Sequence, residues 1–390
     1  METAMQIKLE RTIAAPIWAV WRALTHPDAM NRWSTAKIRL IRNGDAARPD
    51  TVGAQRIVLV PTPRGTQRLN EVIEISEAPV RLVYRVIDSP PIESHRGEIH
   101  IAKHGDGVRL TWTVDATFMV PGLDLLAKPL LQKELERSLN RLPGTLAAIT
   151  TDPLPENPAP NDDKELDALF AAAEQTLAEQ REHAQELTAR NDPKRWFPIV
   201  YQYVTEEQIR RCREGVVQMP AWTLRLIPVF HRYYYDENYL PWIEGREMET
   251  GRHWVRAFEL MENDRIDPAR ALFGGLQRAI IAHIQEDLPR ALAEVWWRWY
   301  RGRCDYARYR ADYLLMGDVF SRSAQRAIDH IPTQLIPAWA RLLQRITPPA
   351  IQDQLQNERF YNIPKQRVRT FERGQRLVET METIAAAQAG

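Results

Sequence analysis

Residues 151–165 read TDPLPENPAPNDDKE, and the prolines at 153, 155, 158 and 160 bar this stretch from a helix interior or a central strand. Prolines spaced in this way favour an extended spacer, so the chain is expected to fold as separate pieces on either side. A length of 390 residues suits that division, because single cores stop growing at about 250–300 residues. The sequence therefore sets a first domain at 1–150, a linker at 151–164 and a second domain at 165–390.

The two sides differ in periodicity. Segments 6–13, 55–60, 68–75, 81–87, 96–102 and 108–115 are short, rich in β-branched residues and bounded by Gly, Pro, Asn or Asp, which predicts strands. Ile99 and Ile101, then Val108, Leu110, Trp112 and Val114, fall on alternate positions, as in a sheet with one buried face. Two helices interrupt the strands. Pro16–Thr25 is short and carries its proline in the first turn, whereas Leu123–Ala148 is long and should bend at Pro129 and Pro143. Beyond the linker, helices are predicted at 165–190, 205–217, 221–240, 249–262, 268–287, 290–301, 306–330, 333–345 and 365–387. Asp267-Pro268 supplies an N-cap followed by a first-turn proline.

Bulk properties narrow the partners. A formal net charge of +1 with 26% charged residues gives no global attraction to nucleic acid or anionic lipid. The only cysteines are Cys212 and Cys304, with no CxxC pair, which excludes a cysteine-rich zinc site and favours reduced thiols. The opening METAMQIKLERTI lacks the apolar core of a signal peptide, and no run approaches the ~18 apolar residues of a membrane span. A cytoplasmic location is the expectation.

The stretch AAPIWAVWRALTHPDAMNRW (14–33) is similar to the opening of the polyketide-cyclase and START-related superfamily, which includes the birch-pollen-allergen fold. Pro16, Val20, Trp21, Leu24 and Trp33 fill its apolar pattern. VGAQRIVLV (52–60), LNEVIEI (69–75), RLVYRV (81–86), HRGEIHI (95–101) and GVRLTWTVD (107–115) follow in its strand order, and the resemblance spans residues 5–149. It implies an α+β helix-grip domain, a curved antiparallel sheet around a long C-terminal helix, ahead of the all-helical domain. It also implies a cavity between sheet and helix that suits a lipid, polyketide or aromatic metabolite. Tyr84, Trp112, Phe118, Leu126, Leu130 and Leu135 are the expected lining, although any one of them taken alone more commonly packs a core. Cyclases and binders without chemistry share this fold, so it does not decide activity. His95, His100, His104, Glu71 and Arg96 are the polar positions available for acid–base work. His100 alternates with Ile99 and Ile101 and faces solvent if they face inward.

The helix IIAHIQEDLPRAL (280–292) resembles the signature of an uncharacterised bacterial helical family, roughly Asn-Ala-His-Ile-Asn-x-Asp-Leu-Pro-x-Ala-Leu. His283, Asp287, Leu288, Pro289, Ala291 and Leu292 match, while Ile281 and Gln285 stand where the family tends to Asn. Read directly, Phe273, Leu276, Ile280, His283 and Asp287 form one helical stripe that is apolar until its last two members. His283 and Asp287, four apart, are the candidate catalytic pair or half of a divalent-metal site. His231, His253, Glu249, Glu259 and Asp312 could complete such a site. A buried hydrogen bond pinning two helices is the commoner role of such a pair in a helical core. The aromatic–Arg runs FHRYYYDENYLPW (230–242) and VWWRWYRGRCDYARYRADY (295–313) are expected to pack between helices through cation–π contacts rather than to bind nucleic acid.

Three functions remain open at this level: a cup for a hydrophobic small molecule with cyclase- or dehydratase-like chemistry, an acid–base or metal-dependent enzyme centred on His283 and Asp287, and a non-catalytic sensing or scaffolding module.

Overall fold

A computed structural model of the chain describes residues 5–62, 65–120, 122–149, 160–319, 323, 326 and 363–389. The linker residues 151–159 and the helix expected at 333–345 lie outside the described residues, as does part of 306–330. Strand β1 (Met5–Ile13) shows how the sheet arises: Met5, Ile7, Leu9 and Ile13 are buried while Gln6, Lys8 and Glu10 point to solvent. Six further strands follow: β2 (Lys37–Arg42), β3 (Gln55–Thr62), β4 (Gly65–Glu77), β5 (Arg81–Ile87), β6 (Ile92–His104) and β7 (Gly107–Phe118). All pair antiparallel in the order β1-β7-β6-β5-β4-β3-β2. Strand β2 is not among the strands the sequence predicts. Its sequence KIRLIR buries only Ile38, as an edge strand with one apolar anchor does, and so gives little period-2 signal.

Helices α1 (Ile17–Thr25) and α2 (Pro27–Trp33) connect β1 to β2. Val20, Trp21, Leu24 and Trp33 are buried, and both indoles satisfy their N–H groups. Trp33 donates to the Ala23 carbonyl at 2.8 Å, and Trp21 to Asp50 at 3.1 Å. Helix α3 (Leu123–Arg141) lays Ala127, Leu131, Leu135 and Leu139 on the same core as the sheet. That four-residue stripe is the face a single helix offers to a sheet.

The described residues form two compact units, Met1–Ala159 with Cys304–Ala311 and Pro160–Arg303 with Asp312–Gly390. Segment Cys304–Ala311, expected within the helical region, packs with the sheet unit. Arg308 pairs with buried Asp45 at 2.9 Å, and Arg310 donates to the carbonyls of Asn43 and Gly53.

The second unit is helical: α4 (Leu166–Ala189), α5 (Trp196–Arg213), α6 (Pro220–Tyr234), α7 (Leu240–Ile243), α8 (Arg252–Met261), α9 (Pro268–Ala282), α10 (Leu288–Val295), α11 (Arg310–Leu315), which runs in from the sheet unit, and α12 (Ile363–Ala389). One-turn π segments follow α6, α9 and α10, at Tyr235–Tyr239, His283–Asp287 and Trp296–Tyr300. The first two precede Pro241 and Pro289. A proline deprives the carbonyl four residues back of its donor and crowds it, and widening the turn by one residue relieves both. The helix therefore continues through Pro289, where the sequence predicted a break between 268–287 and 290–301. The carbonyls released by this turn find side-chain donors on α12. Thr370 Oγ1 bonds Ile284 O at 2.9 Å, and Arg373 bonds Gln285 O at 3.0 Å.

The aromatic–Arg runs pack helix against helix, as expected. Trp222 and Tyr300 stack at 4.1 Å and Arg290 lies 4.3 Å from the Tyr233 ring, while Arg301 covers Trp297 of its own segment at 3.9 Å. No helix among the described residues is long and apolar enough to cross a membrane.

Candidate functional sites

The inward face of the sheet is mostly apolar but carries one connected polar patch. Antiparallel register sets Arg56 opposite Glu71, Glu71 opposite Val86, and Tyr84 between Ile73 and Gly97. Arg56 Nε donates to Glu71 Oε2 at 2.8 Å, with both side chains buried. The guanidinium also stands 5.4 Å from the Tyr84 ring. Trp112 Nε1 donates to the Tyr84 hydroxyl at 3.0 Å. No acceptor takes the Tyr84 proton among the described residues, so this buried phenol keeps a hydrogen bond to give. Burial raises its pKa and keeps it protonated. His95 lies on the same face. Its Nδ1 accepts from the Val86 N–H at 3.3 Å, which leaves the ring proton on Nε2. Burial pushes its pKa down to about 4, so the ring is neutral.

Four of the six expected lining residues fall in or against this core: Tyr84, Trp112, Phe118 and Leu135. Leu126 and Leu130 do not, being 68% and 52% exposed. Each precedes a member of the Ala127–Leu131–Leu135–Leu139 stripe by one residue, and a single step rotates the side chain about 100° away from the sheet. His100 points outward beside Glu98, as the alternation required, and His104 and Arg96 are also outside the core. Sequence reasoning misses Arg56, because its partner Glu71 is fifteen residues away and only register brings the two together.

In the helical unit, the π segment aims His283 and Asp287 at each other. His283 Nδ1 and Asp287 Oδ2 are 2.9 Å apart, and Trp254 Nε1 donates to the same oxygen at 3.0 Å. His283 is enclosed by rings. Phe230 stacks on it at 3.6 Å, and Tyr201, Phe197 and Trp254 stand edge-on at 4.7, 5.3 and 6.0 Å. Its Nε2 is buried without a hydrogen-bond partner among the described residues, and burial holds its pKa well below the usual range. Asp287, only 1% exposed, lines a polar cleft of about 370 Å³, and burial holds its pKa well above the usual carboxyl range.

The expected metal set does not assemble. Glu249 and His253 reach the same cleft as Asp287, but Glu249 is engaged by Arg246 and His253 lies 3.0 Å from Glu286. His231 sits on the inner side with Tyr201 and Tyr235, at 6.0 and 5.6 Å. Asp312 accepts the N–H groups of Gln218 and Met219 at the start of α6, and Glu259 is exposed. Among the described residues no three His, Cys, Asp or Glu side chains are grouped to hold a metal ion. Trp254, which fixes Asp287 from 33 residues away, carries no local signal in the sequence.

Residues 4–147 match the family model described as Polyketide cyclase / dehydrase and lipid transport. Residues 173–360 match a Family of unknown function (DUF5995). The first domain thus resembles the polyketide-cyclase and START-related superfamily, a hydrophobic-ligand-binding fold, and the second resembles an uncharacterised helical family. Among solved structures, a START superfamily protein from Mycobacterium smegmatis is 14% identical, covering 37% of this chain and 99% of that one, with a TM-score of 0.33. A protein from Thermus thermophilus is 16% identical over 37% of this chain and 97% of its own, at 0.32. CalU16 from Micromonospora echinospora is 21% identical over 39% and 78%, at 0.28. No curated protein matches the chain.

Proposed function

We propose that the sheet unit binds a hydrophobic small molecule, a lipid, polyketide or aromatic metabolite, whose carbonyl oxygen takes the hydrogen bond of Tyr84. The observation that carries this reading is the unspent phenol proton within the polar patch of the inward face. A buried donor without an acceptor costs about 1–3 kcal/mol, and a ligand carbonyl offsets that cost. Arg56, Glu71 and His95 supply the polar surroundings for carbonyl chemistry of the cyclase or dehydratase kind. The matched family description supports the same reading.

Native mass spectrometry of the full chain, after exposure to fatty acids, flavonoids and aromatic polyketides, tests the reading. Retention of a carbonyl-bearing guest is expected, with Tyr84→Phe weakening it about fivefold and leaving a carbonyl-free analogue unaffected, as one hydrogen bond of ~1 kcal/mol implies. If no member of the panel is retained, the proposal fails. Incubation with a poly-β-ketone thioester then separates a cyclase, which releases ring product, from a carrier, which returns the thioester unchanged.

A further inference from the structure

The polar cleft of the helical unit is lined entirely by residues of that unit. Its lining holds five carboxyl side chains against two arginines and a histidine. The cations are already spent. Arg290 pairs with Glu237 at 2.7 Å, Arg246 with Glu244 and Glu249, and His253 with Glu286. Two carboxyls remain, Asp236 and Asp287.

Asp236 makes no hydrogen bond or salt bridge among the described residues, and Arg232, one turn before it, is held by Glu237 and Glu294. Asp287 is more telling. Both of its side-chain partners, the His283 imidazole and the Trp254 indole, fall on Oδ2. The other oxygen, Oδ1, has no partner among the described residues, and the side chain lines the cleft. A carboxyl buried to this degree and left with one idle oxygen needs either a proton or a cation.

We propose that the cleft binds a small molecule through a primary ammonium group, which sits on Asp287 Oδ1 with Asp236 as the second negative group. An anion entering the same cleft meets no uncommitted arginine and cannot replace the proton of Asp287. The volume of about 370 Å³ suits a small metabolite and falls within the range of ligand pockets, roughly 300–1,000 Å³. Trp254 adds a ring wall of the kind that favours ammonium groups. His283 and Trp254 are positioning residues: they hold Oδ2 and so decide which oxygen meets the ligand. Because burial raises the pKa of Asp287, an arriving ammonium displaces the carboxyl proton, and binding releases a proton to solvent.

The test is isothermal titration of the full-length chain with n-butylamine and 1,4-diaminobutane near pH 7, in two buffers of different ionisation enthalpy, with butyrate as the anionic comparison. The expected result is amine binding whose apparent enthalpy differs between buffers, and none for butyrate. Asp287→Asn is the decisive variant. Its amide oxygen can still accept from Trp254, while its NH2 group turns to the cleft and repels an ammonium. It should bind amines at least tenfold more weakly and release no proton, with an unchanged circular dichroism spectrum. Asp236→Asn, which touches none of these buried partners, should weaken binding with proton release retained. The proposal is overturned if the wild-type chain binds no amine, if butyrate binds better, or if folded Asp287→Asn binds amines as the wild type does.

Discussion

Tyr84 and Gly97 face each other across β5 and β6, and the tyrosine ring fills the volume that a side chain at 97 would need. A Cβ added at Gly97 would lie 2.1 Å from Tyr84 Cζ. The glycine is therefore what lets the phenol lie down on the sheet and reach the Trp112 indole. Gly97→Ala is expected to push the ring aside, break that hydrogen bond and cost about 1–3 kcal/mol as overpacking does. Urea unfolding gives the magnitude. The same substitution on a Tyr84→Ala background should cost clearly less, and an equal cost in both backgrounds would disprove the coupling.

The buried Arg56–Glu71 pair makes an opposite kind of prediction. Removing one partner strands a charge, so Arg56→Met should destabilise the sheet unit by about 3–5 kcal/mol. Replacing both, Arg56→Met with Glu71→Leu, removes the stranded charge and should recover most of the loss. Thermal or urea unfolding of the three proteins decides it; a double variant as unstable as the single one contradicts this account.

Neutral His95 sets a pH dependence. Its folded pKa, about 4, lies below the ordinary 6.5, so the unfolded chain takes up the proton first as pH falls. The contribution of His95 to stability is complete above about 6.5, declines between about 6.5 and 4, and is level below; a shift of this size corresponds to about 3 kcal/mol. His183 and His231, also lowered to about 4 by burial, act in the same direction in the helical unit. Urea midpoints at pH 7 and 4.5 should differ less in His95→Gln than in the wild type, and identical differences would rule out His95 as a source.

The π segment at His283–Asp287 depends on donors from α12. Thr370→Val keeps the shape but leaves the Ile284 carbonyl without its donor, a loss of about 1–3 kcal/mol. Faster amide exchange should appear around 284–288, where the widened turn loses its support. Unaltered exchange there, with unaltered stability, would mean that the turn holds itself.

Much of the sheet unit is legible in the sequence because alternation is a local property. Segment 81–87 has the ends that the sequence predicts, and the parity of Ile99, Ile101 and His100 tells which of them face inward. Strand β2 escapes because an edge strand with one buried residue barely alternates. On α3, the sequence offers several leucines but not the rotation of the helix about its axis, and so the expectation for Leu126 and Leu130 falls on the wrong face.

The sequence by itself determined that His283 and Asp287, four residues apart on an apolar stripe, would lie side by side and inward, because helical spacing needs no partner to act. Only the tertiary structure decided that Trp254 shares the same carboxylate oxygen, that the turn widens ahead of Pro289 with its carbonyls answered from α12, and that residues 304–311 belong with the sheet. Each of these joins groups tens to hundreds of residues apart. Such meetings follow from how elements pack against one another, and no local pattern encodes them.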